Sequence, residues 1–149
     1  MWALFFAQAV VNLPADSPAD ALAAPTDPAR LSIVVADTVS ETDPQPLCDR
    51  ADCTALFLGR YKHATVLAGP SLPGEFTARV EMGSPWITPY RLALLVEQRE
   101  GREPLVQAIA GFNQSTNEAC FDAGETNRLA WAPVGPRITR KGGAICVQD

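Results

Sequence analysis

The stretch Glu75–Met82, EFTARVEM, alternates strictly, with Phe76, Ala78, Val80 and Met82 on one side and Thr77, Arg79 and Glu81 on the other. Successive strand side chains point to opposite faces, so this period of two reads as a half-buried β-strand. Its neighbours continue the theme. Upstream, TALFLGRYKHATVLAG (54–69) is rich in β-branched and aromatic residues and runs into the turn-forming GPSLPG (69–74). Downstream, RLALLVEQ (91–98) places Leu92, Leu94 and Val96 on one face and Ala93 and Leu95 on the other, the pattern of a strand buried on both sides. The charged turn REGRE (99–103) then returns the chain through PLVQAIAGF (104–112) as a hairpin.

The last third is less regular. Asn113–Asn127 is polar and turn-rich, Arg128–Pro136 reads as one helical turn or a short strand, and Gly142-Gly143 forms a tight turn before a final strand near Ala144–Val147. Thirteen prolines and ten glycines in 149 residues argue for short elements and many turns, against a helical bundle. The expected fold is mainly β, a disulfide-stapled antiparallel barrel of five to six strands, OB-like, with a compact β-sandwich as the alternative. Gly59 inside the long first strand suits the bend that barrel closure requires.

Charge is unevenly placed. Residues 1–53 hold eight of the 17 acids and two of the 12 Lys and Arg residues, so the net charge of -5 belongs to the leading segment. The remaining chain is nearly neutral and lacks the basic stripe that phosphate neutralisation needs, which argues against nucleic-acid binding.

At the N-terminus, MWALFFAQAVVNL is too short to span a bilayer and is followed by a Pro, Ala and Asp tract. Residues 1–23 read as a signal peptide, with Ala21-Leu22-Ala23 as a cleavage site, which implies a periplasmic or secreted protein without a transmembrane segment in its mature chain. Residues 24–46 form a Pro- and acid-rich leader in which only LSIVVADTV (31–39) has strand character, an edge strand or a weakly ordered tail. Residues 47–149 form the single expected domain.

Four cysteines admit three readings. Zinc wants two close ligand pairs, but only Cys48 and Cys53 are close; Cys120 and Cys146 form no second knuckle and His63 is the sole histidine. A reactive thiolate is disfavoured by Asp49 and Asp52, against which only Arg50 acts. Two structural disulfides remain, in one of three connectivities, with Cys48–Cys53 and Cys120–Cys146 preferred. No metal and no cofactor are expected.

Among residues that carry chemistry, His63 stands on a strand without a neighbouring nucleophile, as an exposed histidine would. Glu81 and Glu97 face each other only if their strands pair. Asn113-Gln114-Ser115 is a glycosylation sequon in a eukaryotic secretory pathway. The loop SPWITPY (84–90) presents Trp86 and Tyr90 on a proline-stiffened backbone, and with Tyr61 these are the candidate binding residues.

The order ALFLGRYKHATVLAGP, EFTARVEMGSP, RLALLVEQ and ACF resembles small exported proteobacterial proteins, a resemblance that implies export and no particular activity. More loosely, strand order and cysteine staples resemble the OB-type barrels of netrin-like and metalloproteinase-inhibitor domains. That inhibitor family uses an N-terminal Cys-x-Cys, and here the position two beyond Cys48 is Arg50. The expected function is a non-catalytic module that binds a protein or envelope component, its oligomeric state open. The alternatives are a small hydrolase or lyase using His63 with Glu81 or Glu97, and a structural envelope protein.

Overall fold

The computed structural model describes residues 27–83, 90–121 and 132–149. The expected signal peptide, Trp86 and Arg128–Trp131 lie outside the described residues. Within them the chain is mainly β: after a 3-10 turn at Pro28–Arg30 come β1 (Leu31–Pro46), β2 (Ala55–Ala68), β3 (Phe76–Met82), β4 (Arg91–Glu97), β5 (Leu105–Asn113), β6 (Glu118–Phe121), β7 (Ile138–Lys141) and β8 (Ala144–Gln148). The sheet runs β3-β2-β1-β4-β5-β6-β8-β7, its adjacent pairs antiparallel. A parallel bridge between Arg79 and Leu105 joins β3 to β5 and closes the first five strands into a ring. The Arg79 amide donates to the Pro104 carbonyl at 2.7 Å at this closure.

Two apolar cores explain the sequence pattern. Alternate residues of β1 and β4 (Val34 and Ala36; Leu92, Leu94 and Val96) join Phe57, Tyr61, Phe76, Ala78, Val80 and Val106 in one core. The intervening residues, Leu31, Ile33 and Val35 with Ala93 and Leu95, pack with Phe121, Ile145 and Val147 from β6 and β8 in the other. Strands covered on both faces are apolar at every position, which is why LALLV has no polar slots.

Strand β1 corrects the expected leader. Residues 31–36, expected at most to add an edge, are fully buried between β2 and β4. Only the second half behaves as an edge: β4 pairs with Leu31–Asp37, so Pro44 and Pro46 fall where just β2 is hydrogen-bonded. The chain also has more strands than expected, since Glu118–Phe121, inside the stretch read as turns, pairs with both β5 and β8.

Both preferred disulfides are present, Cys48–Cys53 and Cys120–Cys146. Gly142 and Gly143, with φ of 54° and 88°, make the two-residue turn between β7 and β8. Gly59 leaves room for a ring: a Cβ there would stand 2.7 Å from the Tyr61 hydroxyl oxygen. Among the described residues no helix is long and apolar enough to cross a membrane.

Candidate functional site

The site begins with a break in the alternation of β2. Tyr61 is buried in the ring's core, so by the period of two His63 would point the same way, inward. The chain inserts a residue instead. Val35 pairs with Thr65 but Asp37 pairs with Lys62, a β-bulge with two residues of β2 opposite Ala36 alone. His63 takes φ of 51° at the bulge, a left-handed conformation that side chains other than Gly, Asn, Asp and His seldom adopt. Backbone strain of this kind, about 1–3 kcal/mol, persists only where surrounding structure fixes it, and it clusters at functional sites.

The bulge delivers the ring to a carboxylate. His63 Nδ1 lies 2.9 Å from Asp37 Oδ2, and Arg91 Nη1 donates to the other Asp37 oxygen at 3.0 Å. Arg91 also bonds Asp149 through Nε, and through Nη2 at 3.1 Å; Arg137 lies 3.7 Å from the same Asp149. Burial pushes the Asp37 carboxyl up, but the bonds from His63 and Arg91 together outweigh it and hold the group below its ordinary value. The Arg91 bond does the same for Asp149, and both carboxylates raise Arg91 in turn. An ionised carboxylate only accepts, so the proton of the His63–Asp37 bond sits on Nδ1 and, in the neutral ring, Nε2 is left as an acceptor.

Around this network lies a cleft of about 240 Å³, lined by Asp37, Thr38, Val39, Lys62, His63, Tyr90 and Arg91. Tyr90 is held by its backbone, its amide donating to Thr38 Oγ1 at 3.3 Å and its carbonyl accepting from the Thr38 amide at 2.8 Å. Tyr90 and Val39 are 45% and 39% exposed, an apolar rim next to the charged floor.

The acid limb of stability follows from these carboxyls. Depressed in the folded state, Asp37 and Asp149 contribute stability that is present above the unfolded carboxyl range and lost as pH falls through the lower folded values. The thermal midpoint is expected to stay level from neutral pH to about pH 5 and to fall below about pH 4. Arg91→Met should lower the neutral plateau and flatten that fall; a parallel acid limb in the variant would show that the network does not carry it.

The expected site residues divide. Tyr90 is at the cleft. Tyr61 is not: it is 2% exposed, its ring stacks on Phe76 with centroids 5.2 Å apart, and burial raises its hydroxyl pKa, so it belongs to the core and cannot meet a partner. Trp86 lies outside the described residues. Glu81 and Glu97 form no dyad, because β3 and β4 are not neighbours: Glu81 accepts from Thr54 and Glu97 from Gln107, each at 2.6 Å. Arg79, next to Glu81 on β3, crosses to Asp43 at 2.9 Å. His63 gains a partner that sequence neighbours did not reveal, since Asp37 is 26 residues away. Asp37, Arg91, Lys62 and Val39 were not anticipated at a site; the consecutive polar residues Lys62 and His63, which break the alternation begun at Gly59–Tyr61, were the available sign. No protein-family model, curated protein or solved structure matches the chain.

Proposed function

We propose that this chain is a non-catalytic, exported binding module, a small barrel of the OB type whose cleft beside Tyr90 takes up a protein or envelope component. The observation that carries the reading is the exposed Tyr90 and Val39 rim set against the fixed Asp37–His63–Arg91 network. An aromatic anchor on a rigid frame, next to donors of fixed direction, is what a recognition surface needs. Two further features support it. A five-stranded ring with one parallel closure agrees with a partly open OB-type barrel, whose strand faces and loops serve binding. Two disulfides fit an oxidising compartment.

Tyr90→Ala tests this directly. It should change unfolding free energy by less than about 0.5 kcal/mol, as surface substitutions do. It should also weaken retention of a component captured from envelope extract by about 30-fold, the equivalent of a 2 kcal/mol hot spot. Retention unchanged in the variant sinks the assignment of the cleft, and a wild-type chain that retains nothing favours a structural envelope protein.

The catalytic reading takes second place. His63 and Asp37 have the spacing of a base and its orienting acid, yet the ring's single hydrogen bond among the described residues is to Asp37, with no hydroxyl or thiol joined to Nε2.

A further inference from the structure

Away from the cleft, β6 and β8 place three potential ligand atoms together. Cys120 and Cys146 stand directly opposite in the antiparallel register, and Glu118 precedes Cys120 by two residues on the same face. The two sulfurs and a Glu118 carboxylate oxygen all lie within 4.8 Å of one another. Cys120 Sγ is 3.5 Å from Glu118 Oε1. That matches the edge of a tetrahedral site, where a sulfur at about 2.3 Å and an oxygen at about 2.0 Å from the ion stand roughly 3.5 Å apart.

The strand pair is held by core packing as well as by the bridge. On the opposite face, Ala119 and Phe121 of β6 and Ile145 and Val147 of β8 are all at most 1% exposed in the shared core. That packing, with the backbone pairing of Cys120 opposite Cys146, is independent of the S–S bond. The Cα atoms of the pair are 4.0 Å apart, and side chains of such facing residues span the distance a shared ion needs.

We propose that reduction by a dithiol converts the Cys120–Cys146 bridge into a site for a thiophilic divalent cation such as Zn²⁺, ligated by both sulfurs and by Glu118. The reductant supplies two electrons and two protons and itself becomes a disulfide, while the S–S bond breaks to two thiols. The cation then displaces both thiol protons to solvent and forms two metal–sulfur bonds and one metal–oxygen bond, leaving a fourth position for water. Lys141 opposes it: its Nζ donates to both Glu118 oxygens, at 3.1 and 2.9 Å, and must release one.

The full chain carrying Cys48→Ser and Cys53→Ser, reduced with a phosphine and titrated anaerobically with Co²⁺, should bind one equivalent. Binding should give thiolate-to-cobalt charge transfer and tetrahedral visible bands, and Zn²⁺ should abolish them. Cys120→Ser should remove the charge-transfer band. Glu118→Gln should weaken binding at least roughly tenfold, since even groups one shell further out are worth that much. Lys141→Met should tighten it by freeing the carboxylate. Absence of the band, affinity indifferent to Glu118 and Lys141, or a reduced chain that loses its β-sheet circular dichroism would each overturn the proposal.

Discussion

Replacing Gly69 by alanine is expected to destabilise the protein by about 4 kcal/mol, near the upper limit for a single substitution. Gly69 opens the turn out of β2 with φ of 88°. A Cβ there would lie 2.1 Å from the Leu31 carbonyl oxygen and 2.8 Å from Ser32 Cα. Neither atom can yield, because both belong to the backbone of β1, are fully buried, and are fixed by pairing of Leu31 with Glu97 and Ser32 with Val96. Ser32 Oγ also donates to the Pro70 carbonyl at 2.6 Å, tying the turn to the strand it crosses. Gly101 supplies the control: its φ is 68°, yet a Cβ meets nothing within 4 Å. Gly101→Ala should therefore carry only the left-handed penalty of about 1–2 kcal/mol. Urea unfolding of the two variants separates conformation from collision, and equal losses would mean that the turn does not press on β1.

The two disulfides should differ in worth. Cys120–Cys146 spans 26 residues and Cys48–Cys53 spans 5. In the chain-entropy model, removing the first as a double serine variant costs about 3.5 kcal/mol and removing the second about 2 kcal/mol. The longer loop also contains β7 and part of β8, so its closure restrains the outer layer in the unfolded chain, whereas the shorter one ties only the turn between β1 and β2. Equilibrium unfolding of each pair under non-reducing conditions measures both. A larger loss at Cys48–Cys53 would show that native contacts around that turn, rather than loop length, set the ranking.

Much of this architecture was legible in local pattern. The alternation of 75–82 and the unbroken LALLV follow from facing one core and two cores respectively, and turn chemistry marked the 99–103 and 142–143 reversals. Position within the sheet was not legible. LSIVVA carried strand character, but centrality depends on partners about 30 and 60 residues away, and Pro44 and Pro46 drew attention to the exposed half of the same strand. Tyr61 was misplaced because an aromatic residue among Arg60, Lys62 and His63 resembles a surface strand; the missing side chain of Gly59 is what lets its ring turn inward. The cleft was hidden for the same reason as β1: Asp37, His63 and Arg91 meet only through register and a bulge.

The double coverage of β1 sets a problem of timing. Its six-residue run from Leu31 to Ala36 is apolar apart from Ser32, has β-branched Ile33, Val34 and Val35 at its centre, and carries no charge or proline. That composition is a sequence signature of amyloid-forming segments. It leaves the ribosome before β2 and well before β4, the strand to which Leu31–Asp37 pairs. At about 5–20 residues per second, the wait for β4 is on the order of 3–13 s. During that interval the edge of Leu31–Asp37 that β4 later pairs with has no partner strand, and an unpaired apolar edge of this kind is a template for pairing with another copy.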